Sequence, residues 1–191
     1  MTIGWNDASE IIVAGSGEVY VAAVGTALPT TATETLNAAF VGLGYHTEDG
    51  VSISVSPTVE EFMAWQSRQA IRREMTAQEI QVSFSLQQWN EETLPLAFGG
   101  GAISSVSGGY RYDFPTDTAS LVEKAMIVDC VDGSENHRFV FTRGTVVEAV
   151  ETQFSRGATA LLPITFKVLG PEAGGAPGYY LTDSAAFAAG S

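Results

Sequence analysis

Hydrophobic and polar positions alternate with a period of two along much of the chain. Ile80, Val82, Phe84 and Leu86 alternate with Gln81, Ser83, Ser85 and Gln87. Successive side chains of an extended chain point to opposite sides, so this segment predicts a strand with one buried and one wet face. Val51, Ile53 and Val55 alternate with Ser52, Ser54 and Ser56 in the same way, and Leu162, Ile164, Phe166 and Val168 with Pro163, Thr165 and Lys167. Pro163 has no N–H to donate to a ladder, which predicts an edge or a bulge there. Val19–Val24 reads as an early strand. Ala125–Val131 (AMIVDCV) is apolar on both faces apart from Asp129 and reads as a central one. Arg138–Thr142 and Thr145–Glu151 are two further strands. Turn chemistry punctuates them at Asp49-Gly50, Asp132-Gly133, Arg143-Gly144 and Arg156-Gly157.

Helical signals are sparse. Glu34–Phe40 fits two turns after Pro29-Thr30-Thr31. Asn90 or Thr93 caps a short helix running to Phe98, with Glu91 and Glu92 at its positive end and Gly99-Gly100-Gly101 terminating it. Val59–Gln78 supports two readings, an amphipathic helix or a strand–loop–strand, and periodicity alone leaves both open. The last segment, residues 170–191, is rich in Gly, Ala and Pro and carries Tyr179, Tyr180 and Phe187. It cannot build a core of its own, so it reads as a frayed tail or as an arm held on another surface by its aromatics. No internal repeat and no boundary divides the chain, which reads as a single domain.

Charge narrows the function classes. The 191 residues contain 22 Asp plus Glu against 9 Lys plus Arg, a formal net charge of −13. Phosphate contacts need cations, so nucleic-acid binding is excluded as a primary role. The cations are also unevenly placed: residues 1–67 hold none, and Arg68, Arg72 and Arg73 then arrive together. The single cysteine rules out an intrachain disulfide. No apolar run approaches the roughly 20 residues of a membrane helix, so no membrane insertion is expected. The N-terminus has no basic and apolar regions of a signal peptide, so export by that route is not expected.

Candidate chemistry is thin. His46 and His137 have no second ligand at metal spacing and read as surface or turn residues. Cys130 sits in an apolar strand and reads as a buried, inert thiol. Gly15-Ser16-Gly17 lacks the third glycine of a dinucleotide loop, and no Walker lysine follows Gly99-Gly100-Gly101. Asp129, Asp132 and Glu135 lack calcium-loop spacing. Glu60-Glu61 and Glu91-Glu92 read as solvated faces rather than hydrolase carboxylates. No catalytic residue, cofactor or metal is expected.

Several segments, in order, resemble the major tail tube proteins of long-tailed, non-contractile (siphovirus-type) bacteriophages, most closely those of actinobacterial phages. Gly17–Ala22 followed by Val24-Gly25-Thr26-Ala27-Leu28-Pro29 resembles the family's opening strand and "VGTALPT" turn. Leu43-Gly44-Tyr45 with Thr47-Glu48-Asp49-Gly50-Val51 is similar to its "GYxSEDGV" segment, and Met63-Ala64-Trp65-Gln66 with Arg72 to its "AWQ" arm and return strand. Thr93–Gly99, Val128–Gly133, Phe154-Ser155-Arg156 and Gly178–Asp183, with its terminal "T-D", resemble the later elements.

The resemblance implies a mainly β fold of two packed β-sheets, sandwich- or barrel-like, with a short flanking α-helix, a long arm loop and extended termini. Residues 1–16 would form an N-terminal arm and residues 170–191 a C-terminal arm on a single domain. It favours strand–loop–strand over helix at Val59–Gln78. It implies hexameric rings stacked helically into a virion tail tube that conducts double-stranded DNA as unbound cargo. Assembly would take place in the host cytoplasm, with tape-measure, tail terminator and distal tail proteins as partners. Under it, Arg68, Arg72 and Arg73 are expected on a loop reaching the next ring, and Glu48, Asp49, Glu60 and Glu61 are candidates for an acidic lumen. Tyr179, Tyr180 and Phe187 are expected to anchor the C-terminal arm on an adjacent subunit. A different class, a soluble β-sandwich module for virion decoration or carbohydrate binding, fits the same alternation.

Overall fold

A computed structural model describes residues 10–116, 122–147 and 150–187. Ten strands and one short helix follow in the order β1 (Ser16–Ala23), β2 (Val41–Gly42), β3 (His46–Ala64), β4 (Ser67–Leu86), α1 (Thr93–Ala97), β5 (Ala102–Val106), β6 (Gly109–Asp113), β7 (Glu123–Asp132), β8 (Glu135–Val146), β9 (Leu162–Val168) and β10 (Gly178–Thr182). The fold is mainly β, with two sheets. The larger runs β2-β1-β7-β8-β9-β4-β3, with β10 also paired to β8; the smaller is the β5–β6 hairpin.

The larger sheet folds on itself through β8. The first part of β8 pairs with β10 at His137–Phe141, and its last residues, Gly144–Val146, pair with β9. One leaf is therefore β1, β7, β8 and β10, and the other is β9, β4 and β3. The alternation seen in sequence supplies the core between them. Val19, Val21, Met126, Val128 and Phe141 from the first leaf meet Val82, Phe84, Leu86, Leu162, Ile164 and Phe166 from the second. All are buried, and burial of each such side chain stabilises the fold by about 1.5–3 kcal/mol.

Both faces of the first leaf are covered, which explains the apolar β7. Ala22, Ala125, Ile127 and Val140 form a second core under Leu28, Leu36 and Phe40. The covering stretch is irregular, not the two helical turns expected at Glu34–Phe40. The Glu34 carboxylate instead accepts from the Thr30 N–H and hydroxyl, and the backbone carbonyls of Thr31 and Glu34 accept from buried Arg138. These local bonds outcompete the helix.

A second correction concerns Arg143-Gly144, expected as a turn. Strand β8 runs straight through it. Gly144 is required by packing: a Cβ there would lie 2.4 Å from the Phe166 ring and 2.6 Å from the Lys167 carbonyl. Other local expectations hold. The Asn90 carboxamide accepts from the N–H groups of Glu92 and Thr93 at the start of α1. Gly99, Gly100 and Gly101 adopt positive φ at its end. Pro163 pairs only with Ser85 of β4, and its other side carries no ladder to β8.

Candidate assembly surface

Val59–Gln78 is strand, turn and strand. Nineteen residues of β3 and twenty of β4 form one hairpin, closed at Trp65 and Gln66. Only its base lies in the sandwich. Beyond Val55 almost every residue is exposed, so nine residues of β3 (Ser56–Ala64) and thirteen of the bulged β4 (Ser67–Glu79), about 30 Å along β3 at about 3.3 Å per residue, project from the body as an arm.

The register gives the arm two distinct faces. Val51, Ile53 and Val55 pair with Phe84, Val82 and Ile80, so this face begins inside the core. It continues outward through Pro57 opposite Gln78, Val59 opposite Met75, the Glu61–Arg73 pair, and Met63 opposite Ala70. There its apolar side chains are bare: Val59 is 46%, Met75 60% and Met63 60% exposed, and Trp65 at the turn is 100% exposed. A two-stranded hairpin is at best marginally stable alone in water, and exposed apolar side chains grouped in this way mark an interaction surface. The opposite face is mostly polar, with Ser52, Ser54, Ser56, Gln81 and Ser83 at the base and Glu60, Glu74 and Glu79 further out, and it carries the exposed Phe62 opposite Arg72 near the tip.

The arginine cluster lies on this arm, on strand β4 rather than on a loop. Arg73 pairs with Glu61 across the apolar face at 2.7 Å, and Arg72 with Glu74 on the polar face at 3.5 Å. Arg68 makes no ion pair among the described residues. Both pairs are well exposed, so each is worth at most about 1 kcal/mol, which leaves these side chains cheap to redirect. Residues 62–73 contain these three arginines and no acid.

The four acidic candidates do not share one surface. Glu60 is on the polar face, and Glu61 is on the apolar face beside Arg73. Glu48 and Asp49 sit at the other end of the hairpin, in a bulge where the register slips between His46 and Val51. Gly50, with φ of 70°, permits that bulge.

The C-terminal aromatics rest on their own chain. β10 pairs with β8. The Tyr180 ring packs on Phe139 at 4.7 Å and on Phe187 at 5.6 Å, and the Tyr179 hydroxyl donates to the Pro29 carbonyl. Phe187 stays 60% and Tyr179 38% exposed, so both keep an outer surface. His137 is buried, not on the surface as its sequence context suggested. Its Nδ1 lies 2.5 Å from the Tyr180 hydroxyl and 3.2 Å from Thr182 Oγ1. No sequence signal linked it to a strand that pairs from 43 residues away.

A groove of about 1080 Å³ opens between the β1 edge and the first residues of β3. Val51 and Ile53 give it a partly exposed apolar surface over the buried Val19 and Val128, and Glu18, Glu48 and Asp49 line it with charge. His46, half-buried against Phe84, also lines it, and burial pushes its imidazole pKa down. Cys130 lies in the same wall; burial, then the neighbouring Asp129 charge, pushes its thiol pKa up, so it is a poor nucleophile. Among the described residues no group of three or more His, Cys, Asp or Glu is placed to hold a metal ion, and no helix is long and apolar enough to cross a membrane.

A family model described as "Phage tail tube protein" matches residues 4–190. No curated protein matches the chain.

Proposed function

The chain belongs to the phage tail tube protein family, and from that premise we propose that it forms hexameric rings, stacked helically into a siphovirus-type tube that conducts genome DNA. Its role is structural, in the virion tail, through self-assembly with other tail components. The finer reading rests on one observation: the β3–β4 arm projects from the core with Val59, Met63, Trp65 and Met75 exposed, covered by nothing among the described residues. A second copy completes it. Head-to-tail contacts of this kind generate closed rings or open filaments, according to whether their rotation closes.

The two faces of the hairpin divide the work. The apolar face packs against a neighbouring copy. The polar face, with Glu60, Glu74 and Glu79, turns to the lumen. Arg72 and Lys167 pair with Glu74 and Glu79 on this face, so Glu60 and the overall charge of −13 are what keep a polyanionic duplex off this wall, and DNA slides without binding. Arg68, Arg72 and Arg73 make the inter-ring contact and fix its register more than its affinity. The exposed surfaces of Tyr179 and Phe187 add a secondary contact, and the tip of the tube and its terminators engage tape-measure, terminator and distal tail proteins. The actinobacterial affinity and assembly in the host cytoplasm come from the resemblance of sequence segments. Electron microscopy of the purified protein tests the reading. Six-fold rings or tubes with a central channel are expected; a persistent monomer that binds a carbohydrate instead would replace it with the binding-module reading.

A further inference from the structure

The arm needs a receptor on the neighbouring copy, and the search for one ends at the acidic groove. We propose that the tip of the β3–β4 arm of one copy docks in the groove between the β1 and β3 edges of the next. Trp65 is the apolar anchor, and the three arginines meet the acidic rim. The inference rests on the tube reading and names the surface that receives the arm.

Four observations carry it. The first is complementarity of charge. At the tip Arg68 makes no ion pair among the described residues, and the exposed pairs of Arg72 with Glu74 and Arg73 with Glu61 are weak enough to exchange, while Glu18, Glu48 and Asp49 line the groove and no Lys or Arg does among the described residues. The second is complementarity of chemistry. Trp65 is fully exposed beside Met63 at 60%, and the groove presents the partly exposed Val51 and Ile53. A buried aromatic next to desolvated arginines is the usual make-up of an interface hot spot.

The third is size. At about 1080 Å³ the groove, open to solvent on one side, has room for an indole ring and the residues beside it. The fourth is reach. The groove lies at the base of the same hairpin, and Ile53 to Ala64 spans about 36 Å of strand at about 3.3 Å per residue. A rigid hairpin cannot bring its own tip back, so the occupant is a second copy. The open edges have the same consequence. β2 pairs with β1 only at Tyr20 and Val21, so among the described residues no strand pairs with that side of Ser16–Glu18, and an unpaired edge invites another chain.

Site-directed cross-linking tests the contact. Thr47 lines the groove and Gln66 neighbours Trp65 at the tip. Thr47→Cys with Gln66→Cys is placed in a Cys130→Ser background, and particles are imaged before oxidation. Tubes that give a ladder of covalent trimers and higher species, when each single-cysteine variant gives dimers at most, support the docking. Tubes that give no ladder overturn the docking and leave the tube reading intact. Wild-type protein that forms neither rings nor tubes overturns the tube reading and the docking with it. If the cysteines themselves block assembly, charge exchange decides. Arg72→Glu with Arg73→Glu, and separately Glu48→Arg with Asp49→Arg, should each abolish tubes, and the four together should restore them. Failure of that restoration counts against the contact.

Discussion

Buried polar residues decide which surfaces of the chain are available. Asp129 interrupts an otherwise apolar strand, and its oxygens accept from Arg138 at 2.7 and 2.8 Å. That guanidinium also holds the carbonyls of Thr31 and Glu34, so one ion pair clamps the covering stretch on the outer face of the first leaf. The Asp129 hydrogen bond is the first cause of a raised Arg138 pKa, which keeps it charged. Breaking one partner strands the other, at a cost of about 3–5 kcal/mol. Arg138→Met should therefore lower unfolding free energy by about that amount, read from the midpoint of urea denaturation. The exception at Asp129 was legible in sequence. Its partner was not, because a strand pairing nine residues away sets the contact. Gly144 reads as a turn residue for the same reason: only the packed Phe166 ring shows why a side chain is excluded there.

Titration belongs to this scale too. Hydrogen bonds from Thr30 hold the Glu34 carboxyl below its ordinary range, and those from Asn136 do the same for Asp183. Burial depresses His46. A group with a depressed folded pKa contributes stability that is present above its unfolded value and is lost as pH falls through the folded one. Thermal unfolding midpoints should accordingly fall from pH 7 to pH 5 through His46, and fall further through the carboxylate range. His46→Phe should flatten the first decline while leaving the second.

Among the elements, the arm is the informative one. Its inner half was readable, since Val51–Val55 and Ile80–Leu86 alternate cleanly. Its outer half was not, because the register slips beside Val59 and again beside Met63 and breaks the period that sequence reading depends on. Exposure then distinguishes fold from assembly. Replacing Val59 and Met75 with Ser removes apolar surface that the isolated chain leaves wet. The monomer's stability should change by about 0.5 kcal/mol or less per site, whereas tube yield in a pelleting assay should drop severalfold. Equal loss of both would mean that the stripe belongs to the fold. The 28–40 stretch went unread in the opposite way. Its helix-like composition is overridden by side-chain bonds to its own backbone and by Arg138.

At the scale of the whole molecule, the two leaves differ. The first leaf is covered on both sides, and the second keeps a polar outer face. The net charge of −13 first excludes nucleic-acid binding and then, for a tube that passes DNA, explains how cargo moves without sticking. Charge alone did not say which acids matter. Glu48, Asp49, Glu60 and Glu61 are dense in sequence, but the hairpin carries them to opposite ends and opposite faces. A helical reconstruction of the assembled protein by cryo-electron microscopy tests the central claim most directly. The account predicts six copies per ring, the Val59–Met75 stripe buried between copies and Glu60, Glu74 and Glu79 on the channel wall. A tube with that stripe lining the channel and those glutamates packed between subunits would contradict it.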